Sequence, residues 1–377
     1  MLPLSLYIHI PWCARKCPYC DFNSHAVKGG MPERAYVDTL LDDLRQELQA
    51  LGGPTPTIET IFIGGGTPSL LSESVLETLL IGVANQVRLS PHCEITLEAN
   101  PGSIESAKFR GFRQLGVNRL SIGIQSFNDA HLEALGRIHS ATDAKQAVAI
   151  AQQAGFDNLN LDLMFGLPRQ TEADMLNDVE TAIALAPAHI SFYQLTLEPN
   201  TYFHKFPPPL PEDDAIYPAQ QRCQSLLERH GYRQYEISAY AQEGHRCRHN
   251  LNYWQFGDYL GIGAGAHGKI SLSLPDRIVR TAKPKSPDAY MSALDGGIRE
   301  TITLEQLPLE FVMNHLRLKD GFSLTHYQAV TGLSIETLQP ALKACIDQGL
   351  LLECDDRVSC SPRGWDFLDE ILEKFMP

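Results

Sequence analysis

The chain has 377 residues, of which 44% are apolar and 20% are charged, and its formal net charge is −14. This length and composition are typical of a globular protein with one large and one smaller domain, and they exclude extensive disorder. The negative charge excludes a general binder of nucleic-acid phosphates, which requires clustered Lys and Arg.

The N-terminal segment and the cysteines lead us to expect a cytoplasmic protein. The sequence passes from Met1 almost directly into a strand-like run, without the basic start and apolar segment of a secretion signal. Its apolar runs are shorter than the ~20 residues of a membrane-spanning helix. Nine cysteines, with three of them inside eight positions, do not resemble a disulfide framework, so the compartment is expected to be reducing.

Strand-like apolar runs and helical patterns alternate through the first half of the chain. The predicted strands cover residues 4–9, 57–63, 94–97, 119–124, 158–164 and 189–194. The predicted helices cover residues 34–51, 72–87 (with Ser72 as the N-cap), 104–115, 142–154 and 172–184. This alternation predicts a parallel sheet, because a parallel crossover needs a connection as long as a helix.

Polar residues and glycines follow the predicted strands. The run Gly64-Gly65-Gly66-Thr67-Pro68 follows the second strand, Glu98 the third and Gln125 the fourth, while Asp162 lies within the fifth. In a barrel these strand ends meet on one face, where such folds place their chemistry. We therefore predict an α/β fold with a partial (β/α)6 TIM-type barrel rather than an open doubly wound sheet.

Three cysteines, Cys13, Cys17 and Cys20, lie on the loop after the first strand with C-x3-C-x2-C spacing. A [4Fe-4S] cluster is normally held by four thiolates, so three thiolates from one loop leave one iron open to an exchangeable ligand. Two other interpretations remain: a Cys3His zinc site completed by His9 or His25, and a C-x-x-C redox pair.

The three glycines at 64–66 have a structural and a functional interpretation. They are not a phosphate loop, because they lack the Lys-Ser/Thr of a Walker motif and the spacing of a dinucleotide fingerprint. They could form a tight turn, or they could let the backbone approach a ligand that lies over the barrel mouth.

The pattern changes after about Pro199. The proline-rich residues 203–211 indicate an extended linker, followed by a helix at 214–229 and a strand near 234–239. The glycine-rich residues 259–268 indicate backbone packed against a flat ligand or another loop. Predicted helices at 304–317, 324–332, 335–348 and 362–375, with a hairpin around Asp355-Asp356, resemble a winged-helix unit.

The predicted domains are a barrel at 1–240, a segment at 241–302 that contains residues 249–254 and the glycine-rich run, and a mostly helical, winged-helix-like domain at 303–377. Residues 304–377 hold 6 Lys and Arg against 12 Asp and Glu, a charge balance that disfavours DNA binding and hence a zinc-stabilised transcription factor. We interpret this domain as a packing or partner-contact module.

Several motifs together resemble the HemN/HemW branch of the radical SAM superfamily. In chain order they are Tyr7-x-His9-x-Pro11 with the cysteines, Gly64-Gly65-Gly66-Thr67-Pro68, Leu97-Glu98-Ala99-Asn100-Pro101, Ser121-Ile122-Gly123-Ile124-Gln125-Ser126 and Asp162-Leu163-Met164-Phe165-Gly166-Leu167-Pro168. A further run, His249-Asn250-Leu251-Asn252-Tyr253-Trp254, is similar to the HNxxYW motif of the heme chaperones in this branch.

The resemblance implies three cofactors or ligands. The cluster ligands would be Cys13, Cys17 and Cys20. S-adenosylmethionine would contact Tyr7, Phe22, Gly65, Gly66, Thr67, Glu98, Gln125, Arg137 and Asp162, with Asp21, Phe22 and Asn23 close to its adenine. The candidate heme ligand would be His249, with Arg248 near a propionate, Tyr253 and Trp254 flat against the macrocycle, and His245 and His267 as rival ligands.

The resemblance also implies two alternative functions. We favour a chaperone that binds heme, transfers it to acceptor hemoproteins such as membrane respiratory enzymes, and forms a homodimer when loaded with its cluster. The alternative is an oxygen-independent coproporphyrinogen III dehydrogenase, a radical SAM oxidative decarboxylase. That enzyme carries a further cysteine at the position of Phe22 and an N-terminal extension before its first strand, and both differences disfavour it here. Whether S-adenosylmethionine is cleaved stays open.

Overall fold

The computed structural model describes residues 3–27, 29–274, 277–292 and 297–376. Its strands are β1 (Leu4–Ile10), β2 (Trp12–Cys13), β3 (His25–Ala26), β4 (Thr57–Gly65), β5 (Arg88–Ala99), β6 (Arg119–Gln125), β7 (Asn158–Phe165), β8 (His189–Gln194), β9 (Arg233–Gln234), β10 (Ala239–Ala241), β11 (Asp258–Ile262), β12 (His267–Ser273), β13 (Arg277–Ala282), β14 (Ile298–Thr301), β15 (Phe322–Ser323), β16 (Leu351–Cys354) and β17 (Arg357–Cys360).

The helices alternate with these strands in the first half of the chain and dominate its last part. They are α1 (Glu33–Leu51), α2 (Glu73–Ala84), α3 (Ser103–Ser106), α4 (Phe109–Gln114), α5 (Asp129–Ala134), α6 (Ala141–Gln153), α7 (Glu172–Ala184), α8 (Tyr202–Lys205), α9 (Asp213–Arg229), α10 (Arg248–Trp254), α11 (Pro287–Ser292), α12 (Leu307–His315), α13 (Leu324–Thr331), α14 (Ala341–Asp347), α15 (Pro362–Asp366) and α16 (Leu368–Glu373), with 3-10 turns at Pro68–Leu70 and Ile335–Leu338. In the part of the chain described, no helix is both long enough and apolar enough to cross a bilayer.

One sheet of 12 strands organises the barrel, in the order β14-β13-β12-β11-β1-β4-β5-β6-β7-β8-β10-β9. The strands β1, β4, β5, β6, β7 and β8 pair in parallel and in chain order. This arrangement confirms the predicted (β/α)6 fold. On the other side of β1, β11 adds a further parallel strand, and β12 to β14 continue the sheet in antiparallel fashion.

The alternating residues of β1 explain how the barrel keeps an apolar outside and a polar inside. Leu6 and Ile8 belong to the main hydrophobic core, which they share with Leu40 of α1. Burial of each such side chain contributes about 1.5–3 kcal/mol. Ser5, on the other face, accepts a 2.8 Å hydrogen bond from Thr60 of β4. The barrel interior is therefore available for polar groups.

Several predicted elements are interrupted. The predicted helix at 104–115 is divided into α3 and α4, the one at 362–375 into α15 and α16, and the one at 335–348 into a 3-10 turn and α14. The last division falls at Pro340, where a proline ring and its missing N–H oppose a continuous helix. Ser72 stands at the N-cap position of α2, but its hydroxyl donates to Glu33 at 2.7 Å instead of capping the helix.

Two predicted segments after the barrel also differ in detail. The predicted strand at 234–239 is divided into β9 and β10, with a non-strand stretch between them. The predicted extended linker at 203–211 begins within α8, so only its proline-rich part is extended.

The C-terminal part has its own hydrophobic core around Phe311 and Tyr327. Helices α12 to α14 pack beside a three-stranded sheet in the order β15-β17-β16. The hairpin turns at Asp355, whose φ of 52° is left-handed, as expected for a tight Asp-Asp turn. This arrangement agrees with the predicted winged-helix-like unit.

The glycine-rich residues 259–268 pack against the cysteine loop. At Gly265 φ is +77°, and a Cβ there would lie 2.4 Å from the side-chain amide nitrogen of Asn23, Nδ2. Asn23 donates from that nitrogen to the carbonyls of Ala264 and Lys285, each at 2.8 Å. This contact supports the interpretation in which the glycines face another loop. The domain boundaries at 240 and 302 stay a prediction.

Candidate functional site

A cavity of about 300 Å³ opens at the carboxyl ends of the barrel strands. Its wall includes Cys13, Cys17 and Cys20. The same wall contains Phe22, Gly65, Gly66, Thr67, Glu98, Gln125, Arg137 and Asp162. The structure thus brings together all predicted site residues except Tyr7 and His249.

The short strands β2 and β3 hold the cysteine loop closed. Trp12 and Cys13 pair in parallel with His25 and Ala26. Cys20 lies with its Sγ 3.7 Å from the hydroxyl of Ser24. Burial raises the pKa of the Cys13 and Cys20 thiols, so both favour the protonated form until a metal displaces the proton.

The structure provides one observation on the metal sites considered above. Among the described residues, no three His, Cys, Asp or Glu side chains have an arrangement that could hold a single metal ion. A zinc site requires its ligands to converge tetrahedrally on one ion, whereas an iron–sulfur cluster distributes its thiolates over several irons. The cluster at these three cysteines therefore stays a prediction, and the zinc site stays its alternative.

Gly66 allows the end of β4 to approach the cysteine loop. A Cβ at Gly66 would lie 2.5 Å from the carbonyl oxygen of Trp12. The backbone amides of Gly66 and Thr67 donate to the carbonyls of Ile10 and Trp12, each at 2.7 Å. A larger residue at 66 would push the two loops apart and change the shape of the cavity.

Two half-buried carboxyl groups form one side of the cavity. Glu98 accepts a 3.0 Å hydrogen bond from the amide of Gly65. Burial, with the nearby Asp162 as a smaller cause, raises the pKa of Glu98 to about 8. Burial also raises the pKa of Asp162, which accepts hydrogen bonds from Asn160 at 2.7 Å and Ser121 at 3.2 Å. The pair therefore favours a cation or hydroxyl groups as its ligand.

Arg137 supplies a fixed positive charge on another side of the cavity. Its Nη2 donates to Asn100 Oδ1 at 2.6 Å and to the Gly123 carbonyl at 2.8 Å, and its Nη1 lies 3.6 Å from Cys17 Sγ. Its buried Nε has no hydrogen-bond partner among the described residues. A guanidinium with donors left over is suited to bind a carboxylate.

The sequence analysis did not name two residues of the site as candidates. Asn100 lies inside the quoted Leu97 to Pro101 motif and donates to Thr67 Oγ1 at 2.9 Å. Tyr193, at the end of β8, donates to Gln125 Oε1 at 2.8 Å, and Gln125 itself has a left-handed φ of 70°. The only sequence signal for Tyr193 was its place at the end of a predicted strand.

Tyr7 lies outside the cavity wall. Its hydroxyl is 2.9 Å from His9 Nδ1. Burial raises its pKa strongly, and the charge of Glu98 adds to the effect. Asp21 lines the cavity beside Phe22, whereas Asn23 turns its amide towards the segment after β11.

His249 lies inside the barrel, at the amino-terminal side of the sheet. Its Nδ1 is 2.7 Å from Thr60 Oγ1, and its Nε2 is 2.7 Å from the hydroxyl of Tyr253. Because Thr60 donates its own proton to Ser5, His249 donates from Nδ1 and accepts at Nε2. Burial, with the charge of Arg119 as a smaller cause, lowers its pKa to about 3. In this conformation both ring nitrogens are engaged.

The neighbours of His249 in α10 also have partners within the protein. Tyr253 packs edge-on against His249 and Tyr259, with ring centroids 4.7 Å and 4.4 Å away. Trp254 lies beneath the guanidinium of Arg317 at 3.7 Å. The helix α10 thus forms a floor to the barrel, and the role of His249 as a heme ligand stays a prediction.

Comparison with known proteins identifies the class of the fold. Residues 7–182 match the Radical SAM superfamily, and residues 302–367 match the HemN C-terminal domain. The solved structure of coproporphyrinogen III oxidase (HemN) from Escherichia coli has a TM-score of 0.84 at 21% identity, over 99% of this chain and 90% of that chain, which shows a shared fold. Fold and site together define a radical SAM protein.

Similarity to characterised sequences narrows this class to one family. The heme chaperone HemW of Escherichia coli (strain K12) is 48% identical over 375 residues, which cover 99% of this chain and 98% of that protein. The heme chaperone HemW of Haemophilus influenzae is 46% identical, with 99% and 98% covered. The chain belongs to the heme chaperone HemW family.

Proposed function

We propose that this protein binds heme and transfers it to acceptor hemoproteins, such as membrane-bound respiratory enzymes. The observation that carries the proposal is similarity to HemW proteins along 99% of the chain. The cavity lined by three free thiols supports the proposal, because this cavity is the part of the molecule that is suited to hold a cluster.

We further propose that Cys13, Cys17 and Cys20 bind a [4Fe-4S] cluster. Three thiols of one short loop line one cavity. When bound, such a cluster supplies one iron with an exchangeable coordination position. The residues around it keep the site shielded: Trp12 and Tyr36 pack edge-to-face beside the loop at 4.7 Å.

S-adenosylmethionine is the proposed ligand of the rest of the cavity. Arg137 would neutralise its carboxylate, while Glu98 and Asp162 would accept from its ammonium group or ribose hydroxyls. The backbone at 65–67 would lie against the ligand, and Gln125 and Phe22 would complete the wall. Tyr7 would act from behind Glu98 rather than from the wall.

The homodimer and the cytoplasmic location are also proposals. The strand β14 forms one edge of the sheet and is exposed along its whole length, and a sheet edge is a surface on which a second copy can pair. All nine cysteines are free thiols, a state that a reducing compartment preserves. The negative net charge supports the absence of nucleic acid among the partners.

The alternative function is oxygen-independent coproporphyrinogen III dehydrogenase. The fold shared with HemN is the observation in its favour. The presence of Phe22, where the resemblance implies a further cysteine in that enzyme, speaks against it. An anaerobic titration of the cluster-loaded protein with heme, followed by an assay of coproporphyrinogen turnover with S-adenosylmethionine and a reductant, separates the two. We expect stoichiometric heme binding without turnover; turnover to protoporphyrinogen would establish the dehydrogenase.

A further inference from the structure

The first turn of α10 is held by side chains of the barrel interior. The amides of Arg248 and His249 donate to the carboxylate of Glu94, at 3.3 Å and 3.1 Å. The amide of Cys247 donates to the hydroxyl of Tyr235 at 3.2 Å. The first amides of a helix have no acceptor within the helix, so they need partners of this kind. The position of α10 therefore depends on Glu94 and Tyr235.

Tyr235 is the lower end of a chain of hydrogen bonds that crosses the barrel. Its hydroxyl is 2.9 Å from His189 Nε2, and His189 Nδ1 is 2.6 Å from Asn160 Oδ1. Asn160 donates from Nδ2 to Asp162 at 2.7 Å. The residues Asn160, His189 and Tyr235, which we call the relay, are each exposed by 2% or less. Because Asp162 lines the cluster cavity, the relay connects the wall of that cavity with α10.

The protons of the relay all point towards Asp162. Burial strongly lowers the pKa of His189, with the charge of Arg119 as a smaller cause, so the ring is neutral and carries one proton. Asn160 uses its nitrogen for Asp162, so its oxygen accepts from His189 Nδ1. The ring nitrogen Nε2 then accepts from Tyr235, whose oxygen accepts from the first amide at α10. Hydrogen bonds that point the same way strengthen one another, so a stronger acceptor at Asp162 strengthens the bond at α10.

The ligand proposed for the cavity changes the acceptor at the upper end of the relay. Burial raises the pKa of Asp162, and burial, with Asp162 as a smaller cause, raises the pKa of Glu98 to about 8. The ammonium and sulfonium charges of S-adenosylmethionine favour the ionised form of both carboxyl groups. A carboxylate accepts stronger hydrogen bonds than a carboxylic acid does. Binding of this ligand should therefore tighten the relay.

We propose that S-adenosylmethionine in the cavity acts through the relay on α10, whose first turn it holds more firmly in place. This inference rests on the proposed S-adenosylmethionine site and deepens it by naming how that site regulates the barrel floor. Asn160, His189 and Tyr235 are positioning residues, because none of them belongs to the described wall of the cavity. The helix carries His249, so the relay connects the candidate heme ligand with the occupancy of the cavity.

A second contact crosses the barrel and provides the alternative route. A Cβ at Gly64 would lie 2.9 Å from Phe62 Cε1 and 3.0 Å from Glu98 Oε2, so Phe62 lies beside the cavity wall. The centroid of the Phe62 ring is 5.2 Å from that of the His249 ring. We favour the relay because its bonds have a fixed direction and end on the backbone of α10, whereas Phe62 meets a side chain of the helix.

The test is anaerobic hydrogen–deuterium exchange of the full-length, cluster-loaded protein, with and without S-adenosylmethionine. In the wild type we expect the ligand to slow amide exchange in residues 247–254 about fivefold or more. Tyr235→Phe removes one hydroxyl and interrupts the relay, so the slowing should disappear. Tyr232→Phe is the matched control, because Tyr232 is also buried and its hydroxyl donates outside the relay, to the carbonyl of Pro187 at 2.7 Å. Asn160→Ala interrupts the relay at its upper end, away from α10, and should also abolish the slowing.

Equilibrium dialysis of the same samples separates this inference from the proposed binding site. If the wild type binds S-adenosylmethionine and residues 247–254 exchange at an unchanged or higher rate, the relay is wrong while the site stands. Slowing that persists in Tyr235→Phe or Asn160→Ala would place the coupling on Phe62 and overturn the relay, as would loss of the slowing in Tyr232→Phe. Weaker ligand binding in Tyr235→Phe but not in Tyr232→Phe is the same coupling measured from the other end and supports the relay. A wild type that binds no S-adenosylmethionine contradicts both proposals.

Discussion

Arg137 and Asn100 are joined by a 2.6 Å hydrogen bond from the guanidinium to the amide oxygen. Asn100 also donates to Thr67 at 2.9 Å, so the end of β5 connects the loop after β4 to the charged group that follows β6. The orientation of Arg137 therefore depends on a residue that need not touch the ligand itself.

Replacing Asn100 should weaken the binding of S-adenosylmethionine. Asn100→Ala removes a hydrogen bond to a charged group and releases Arg137, so we expect affinity to fall roughly tenfold. Equilibrium dialysis with the cluster-loaded protein measures the change. Gln153→Ala, on the exposed side of α6, is the control. Equal affinities in the two variants would show that Asn100 does not position Arg137.

Each cysteine of the loop should be required for the cluster. Cys13→Ser, Cys17→Ser and Cys20→Ser each remove one thiolate, so iron and acid-labile sulfide should be lost after reconstitution. Cys354→Ser, at an exposed cysteine far along the chain, should keep full content. Full iron and sulfide in any of the three loop variants would refute that ligand assignment.

The stability of the cluster-free protein should fall as pH rises through the titration range of Glu98. Its pKa is 4.5 in its ordinary environment and about 8 in the folded protein. The folded state therefore keeps a proton that the unfolded state releases, and the free energy of unfolding falls by up to about 1.4 kcal/mol per pH unit between these values. Burial also raises the pKa of Asp162, so this carboxyl group changes the stability in the same direction.

The variant Glu98→Gln isolates this contribution. Urea unfolding at a series of pH values should give a shallower slope than in the wild type, because the amide does not titrate. Glu133→Gln, at an exposed position, should keep the wild-type slope. Identical slopes in all three proteins would mean that Glu98 is not protonated in the folded state.

Removal of the His249 side chain should destabilise the barrel floor. His249→Ala removes the acceptor of the Tyr253 hydroxyl, takes one of its two partners from Thr60 and creates a cavity, at a cost of about 2–4 kcal/mol. Urea unfolding measures it. His245 is half-buried on the same segment, and His245→Ala should lower the free energy of unfolding much less. A smaller loss of stability in His249→Ala than in His245→Ala would contradict the placement of His249 in the barrel floor.

The parts of the fold that the sequence predicted are those with a local cause. Continuous apolar runs and helical stripes identified α7 and five of the six barrel strands to within two residues, whereas β5 begins six residues before its predicted start. The cysteine loop and the strand-end residues were predictable because parallel strands must bring their ends together. The interruption at Pro340 also had a local signal, which the helical pattern around it obscured.

The parts that were not predicted depend on contacts between distant segments. His249 meets Thr60 across 189 positions of the chain, and nothing near His249 indicates that its Nδ1 has this partner, although the Tyr253 partner of its Nε2 lies only four residues away. The pairing of Tyr193 with Gln125 spans 68 positions. The sheet position of β11 beside β1 is equally non-local. Such contacts depend on topology rather than on periodicity or local propensity.

Heme transfer tests the central claim most directly. Wild-type protein, loaded with its cluster and with heme, is mixed anaerobically with an apo b-type hemoprotein, and the acceptor's heme spectrum is followed over time. We predict that heme moves to the acceptor faster than from the Cys13→Ser variant or from free heme in solution. Stoichiometric binding with no transfer, or transfer no faster than from free heme, would contradict the chaperone function.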